Sequence, residues 1–187
     1  MDEISKLMID QLKDAYSAER QALRAMPKMM KNATHPALKE CIQMHMEQTE
    51  GQVERIEQAL EMVGGKPGRK VCEAMRGLIE EATHEMEEND RGEMMDVLII
   101  AAAQRIEHYE IAAYGTMVTL AKAAGQTQLA DLLAQTLAEE KETDQKLTGV
   151  AESEVNPAFI TMAQGGEPEE EVSANENRKS GGRRKAS

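Results

Sequence analysis

The sequence predicts an all-α protein, built as a four-helix bundle with one long crossover. Composition is the first ground. Aromatic residues make up 2% of the 187-residue chain, with no Trp and one Phe. Ala, Leu, Met, Glu, Gln and Lys dominate instead, and these are strong helix formers. The second ground is periodicity, because apolar residues recur at helical spacing through four long stretches. The third is connection length: two of the breaks between these stretches are short turns, and one is a long join.

The first helix is expected from about Asp2 to Lys31. Met8, Leu12, Ala15, Tyr16, Leu23, Met26 and Met30 form its apolar stripe, with Glu19 at the stripe's centre. Pro27 removes one backbone hydrogen bond and predicts a kink near Leu23 to Met26. Residues 32–36 form a turn, with Thr34 as the expected N-cap and Pro36 in the first turn of the next helix. That second helix runs from about Pro36 to Val63. Ile42, Met46, Thr49, Val53, Ile56, Leu60 and Val63 recur along it at nearly heptad spacing. Gly64-Gly65-Lys66-Pro67-Gly68 ends it.

A shorter acidic helix, about Arg69 to Asn89, is expected to lie outside the main bundle on the long join. Its stripe is Val71, Met75, Leu78, Ile79, Ala82 and Met86. The central helix follows, about Arg91 to Ala123, and then a turn at residues 124–126. The last long helix spans about Thr127 to Ser153, with Leu129, Leu133, Thr136, Leu147 and Val150 facing inward and Glu140 among them. Each long helix measures roughly 40 Å at 1.5 Å per residue. Two antiparallel hairpins joined by a crossover make a ferritin-like arrangement. The bundle domain is assigned to residues 1–153. Residues 154–187, with an acidic run at 167–171 and a basic one at 178–185, read as a disordered charged tail, although Phe159 and Ile160 could fold back on the body.

The chemistry lies in the apolar stripes. On the central helix Glu107 and Glu110 stand three apart on one face. Ile100, Ala103, Ile111, Tyr114 and Val118 lie within about 60° of Glu107 on a helical wheel. The stripe thus holds two carboxylates and no Lys or Arg, and an unpaired buried carboxylate costs several kcal/mol or is forced to protonate. Counting outward from the two turns puts Glu19, residues 49–50, Glu110 and Glu140 at one height. Four helices therefore bring acids to a common level, where like charges would repel and raise each other's pKa. Two bridged metal ions remove that conflict.

Several of these motifs resemble the YciE/YciF family of ferritin-like bacterial proteins. They are Tyr16-Ser-Ala-Glu19-Arg-Gln21, His45-Met-Glu-Gln-Thr49, Ile106-Glu107-His-Tyr-Glu110-Ile and Thr136-Leu-Ala-Glu139-Glu140, read with their neighbours. The resemblance covers about residues 3–153. It implies a helical bundle, a homodimer, a di-metal site and a link to stress responses, without a defined substrate. The candidate ligands are Glu19, Glu50, Glu107, Glu110, Glu140, His45 and Asp144, with Tyr16 and Tyr114 as supporting donors. The cofactor is two metal ions, iron first and manganese second, with O2 or peroxide as the reaction partner. No catalytic side chain is assigned. One departure stands out. Ferritin-like sites pair Glu-x-x-His on the second and fourth bundle helices, whereas here the sequence offers Glu47-x-x-Glu50 and Glu140-x-x-x-Asp144. Whether His45, Glu47 or Glu50 serves from the second helix is open at this level.

The remaining features bound the function. A net charge of −12 does not suit a nucleic-acid-coating body, so only the basic tail could touch nucleic acid, and weakly. No stretch approaches the ~18 apolar residues of a membrane span, and the charged N-terminus has no signal-peptide pattern. Cys41 and Cys72 form no metal-ligand spacing and fit a reducing, cytoplasmic setting. His108 points about 100° away from Glu107, off the ligand face. His35 and His84 read as turn and surface residues. A helical scaffold or interaction protein without catalysis is the alternative reading.

Overall fold

In the computed structural model, residues 2–165 are described. Six α-helices follow in order: α1 Glu3–Asn32, α2 Pro36–Met62, α3 Glu73–Glu88, α4 Glu93–Ala123, α5 Thr127–Val150 and α6 Asn156–Ala163, with a π-helical turn at Ala151–Val155 joining the last two. The four long helices form the bundle. α1 packs on α2 and α4, and α5 packs on α2 and α4. The crossover carries α3, which lies against α1 and α4 and buries Met75, Ala82 and Met86. Val71, expected in that stripe, is exposed because the helix starts only at Glu73.

Local chemistry explains the ends. Asp2 caps α1, accepting from the Ser5 backbone N–H at 2.8 Å and its hydroxyl at 3.0 Å. α1 runs on through Pro27, whose position is exposed, to Asn32. The α2 and α4 helices end in left-handed glycines, Gly64 at φ 72° and Gly125 at φ 71°. At the second of these the Gln126 N–H returns to the Ala121 carbonyl, which closes the helix end.

The α1–α2 turn departs from expectation. Thr34 does not cap α2; His35 occupies that position, with Pro36 behind it. Thr34 instead turns toward α4, where the buried Asp96 accepts from its backbone N–H (2.6 Å), its hydroxyl (2.5 Å) and the His35 N–H (3.0 Å). Asp96 thus locks the first hairpin to the start of α4. Asp96→Ala strands three donors in a buried site, so a loss of about 2–4 kcal/mol is expected. In a chain of this size that lowers the thermal midpoint by very roughly 5–15 °C, readable by circular dichroism.

The helical body runs past the expected boundary at residue 153. Ala151 and Val155, one turn apart, are both buried in the core, so the chain continues as helix and α6 packs against α4. Phe159 is half-buried, and Ile160 is exposed. The acidic and basic runs of 167–185 lie outside the described residues.

The core divides into two apolar clusters. One holds Met26, Met29, Leu38, Ile42, Met95 and Ile99 among others. The other holds Met8, Leu12, Ile56, Leu60, Met117 and Leu133 among others. Between them, on every bundle helix, buried polar residues interrupt the stripe: Glu19 on α1, His45, Thr49 and Gln52 on α2, Glu107 and Glu110 on α4, Thr136 and Glu140 on α5. This polar layer is the site. Among the described residues no helix is long and apolar enough to cross a membrane.

Candidate metal centre

Each bundle helix contributes to the layer because its stripe points a polar residue inward at that height. Glu19, Glu107, Glu110 and Glu140 are all 2% exposed or less, and His45 is 6% exposed. Ligand atoms of His45, Glu107, Glu110 and Glu140 all lie within 4.8 Å of one another. His45 Nε2 stands 3.1 Å from Glu107 Oε1 and 3.9 Å from Glu140 Oε2. On its other side, His45 Nδ1 meets the Thr143 hydroxyl at 3.3 Å, which orients the ring. The Thr49 hydroxyl bonds back to the His45 carbonyl at 2.8 Å. Glu19 completes the layer from α1. Its Oε1 accepts from the Tyr114 hydroxyl at 2.5 Å.

The electrostatics are unfavourable as they stand. Glu19 Oε2, Glu107 Oε2 and both oxygens of Glu110 and Glu140 are buried without a hydrogen-bond partner. Burial pushes the Glu19 and Glu107 carboxyls up to about 8, with the Glu140 charge adding to the first and the Glu19 charge to the second. Burial and their acidic neighbours hold Glu110 and Glu140 well above the carboxylate range. Such acids stay protonated or take a cation.

The expected ligands separate on this geometry. Glu19, His45, Glu107, Glu110 and Glu140 come together. Glu50 does not: it is exposed, because Thr49 rather than Glu50 faces the interior of α2. Glu47 is exposed as well and accepts from Gln43. Asp144 is half-buried and turned aside, accepting from Gln104 Nε2 at 3.0 Å, with His108 Nε2 3.3 Å away. Tyr16 also leaves the site, donating to Glu57 at 3.1 Å with the Arg20 guanidinium over its ring. Tyr114 alone of the two expected tyrosines reaches a site carboxylate.

Sequence reasoning missed three neighbours. Arg55 donates to Thr136 at 2.6 Å and to both Glu139 oxygens at 2.7 and 2.6 Å, and its charge draws the Glu19 pKa down against burial. Gln52, fully buried, also donates to Glu139. Thr143 stands three after Glu140, where a Glu-x-x-His pair would put its histidine. The Glu139-Glu140 doublet was the available signal: one acid faces inward, and its lateral twin calls for a cation on the next helix.

Residues 3–159 match the family model described as Domain of unknown function (DUF892). This chain belongs to the DUF892 family. Protein YciF of Escherichia coli (strain K12) is 46% identical over 157 residues, covering 83% of this chain and 95% of the relative. The crystal structure of that E. coli stress protein superposes with a TM-score of 0.78, covering 83% of this chain and 99% of the other. YcfI from Rhodopseudomonas palustris, 37% identical, superposes with a TM-score of 0.76 over 79% of this chain and 94% of its own. A ferritin-like, diiron-carboxylate protein from Bacillus anthracis is 15% identical, with a TM-score of 0.64 over 80% of this chain and 99% of the other. That likeness shows the fold, and this DUF892 member is a ferritin-like bundle. The buried His and Glu cluster of the family member sits at its mid-height.

Proposed function

We propose that this chain is a ferritin-like di-metal carboxylate protein of the stress response, which oxidises Fe(II) or reduces O2 or peroxide. The observation that carries the reading is the set of buried, unpartnered oxygens on Glu107, Glu110 and Glu140 gathered around one imidazole, with the unpartnered Glu19 Oε2 in the same layer. Oxygen donors with a single nitrogen fit iron or manganese better than the softer metals.

Glu110 and Glu140, with both oxygens unpartnered, would hold the two ions together with Glu19, Glu107 and His45. A redox-active metal pair held there would supply the electrons that reduce dioxygen or peroxide. The chain's own groups do the rest. Thr143 holds His45 with Nε2 aimed at the acids. Tyr114 fixes Glu19 through Oε1 and leaves Oε2 unpartnered. The two apolar clusters above and below the layer keep bulk water away and strengthen every charge interaction inside. The raised carboxyls release their protons as a cation binds.

An oxygen electrode tests the reaction. Metal-free protein loaded anaerobically with Fe(II) is expected to consume O2 well above the rate of Fe(II) in buffer, and the Glu110→Gln variant to fall to the buffer rate. Equal rates for wild type and buffer would leave a helical interaction protein with protonated core acids. The homodimer is part of the same proposal, and light scattering after size exclusion reads it directly.

A further inference from the structure

Two cavities meet on the α1 side of the site. The outer is a groove of about 250 Å³ between α1 and α3, with Gln21, Arg24, Lys28 and Thr83 at its mouth. The inner is small, about 20 Å³, and walled by Ala22, Met26, Ile42 and Leu147. It ends on His45, Glu107 and Thr143. Ala25, Met29 and Ile106 line both. They stand where the two adjoin, between surface and site. The inner volume holds a molecule of about the size of water. Away from that polar end its exposed wall is almost wholly apolar, and apolar cavities take up small apolar guests. A divalent cation is a poor traveller on this path, since it would shed its hydration against apolar walls.

We propose that this passage is the dioxygen route: the inner cavity binds O2 beside His45 and Glu107, and Ala25, Met29 and Ile106 set how fast it arrives. The assignment rests on the dioxygen half of the proposed function, but its first test needs no metal.

Under a few bar of dioxygen, methyl groups near bound O2 relax faster in proton–carbon NMR because O2 is paramagnetic. In metal-free protein the methyls of Met26, Met29, Ile42 and Ile106 are expected to broaden severalfold more than the equally dry methyls of Met8, Leu12 and Ile56 in the other cluster. Ala25→Phe, a half-buried position on the groove wall, should remove that difference, with Ala25→Leu as the smaller plug if Phe prevents folding. In Fe(II)-loaded protein the same variant should slow oxidation by O2 roughly tenfold, as expected when access becomes limiting. Anaerobic Fe(II) stoichiometry should not change. Equal broadening in the two clusters overturns the binding site. Lost broadening with an unchanged oxidation rate overturns the route. A protein that takes no iron would sink the di-metal reading, while the relaxation result still decides the cavity.

Discussion

Glu110→Gln combined with Glu140→Gln is expected to make the metal-free protein more stable while removing its metal. Both acids are buried, and neither carboxylate oxygen of either residue has a partner. Burial and the neighbouring acids disfavour their charge. Gln keeps the shape and needs no proton taken up on folding. Removing the cost of protonating these acids at neutral pH is expected to stabilise by about 2 kcal/mol. A gain of about 2 kcal/mol raises the thermal midpoint by roughly 4–8 °C in a domain of this size. The same change deletes both proposed bridging ligands. With saturating Fe(II) or Mn(II), the wild type should gain stability by mass action and the variant should not. Differential scanning calorimetry with and without metal reads both effects. A variant that loses stability without metal, or still gains it with metal, contradicts this view of the site.

The stability of the metal-free protein should fall as pH rises from about 5 to about 8. Glu19 and Glu107 move from the ordinary carboxyl value of 4.5 in the unfolded chain to about 8 in the fold. The folded state therefore binds more protons than the unfolded one across that window. Stability from a raised carboxyl is full below the unfolded pKa and is lost as pH climbs through the folded one. The total loss is on the order of 5 kcal/mol, since the acids share one layer and titrate together. Bound metal reverses the slope, because the cation competes with those same protons. Denaturant midpoints at several pH values, with and without metal, should diverge toward pH 8. Calorimetric metal titrations in buffers of different ionisation enthalpy should show protons released near neutral pH. A metal-free midpoint that is flat or rising between pH 5 and 8 would count against the protonated cluster.

The bundle was readable because its helices are long and their stripes regular. The acids that lay at the centre of a stripe, Glu19, Glu107, Glu110 and Glu140, are all buried. Angle decided these cases, and height alone misled. Glu50 stands at the right level, but about 80° round the helix from the stripe, and it faces solvent. His45 lies about 60° to the other side of the same stripe, yet its ring is turned inward and held by Thr143 of α5. That hydrogen bond joins residues 98 apart, and no local pattern contains it. Asp144 failed for the same reason in reverse, as Gln104 on α4 draws it aside. Asp96 and Arg55 were invisible because their partners, in the α1–α2 turn and on α5, are distant in sequence, and a charged residue near a helix start or on a helix flank is ordinary until those partners are known. The tail boundary slipped because Ala151 and Val155 are too few apolar positions to register as periodicity, though enough to fill the end of the core.

The most direct test of the central claim is elemental analysis of the protein purified without chelator, beside the Glu110→Gln/Glu140→Gln variant. About two iron or manganese ions per chain are expected, absent from the variant. No metal in either protein, even after anaerobic loading with Fe(II), would contradict it and leave the buried acids of this layer held by protons alone.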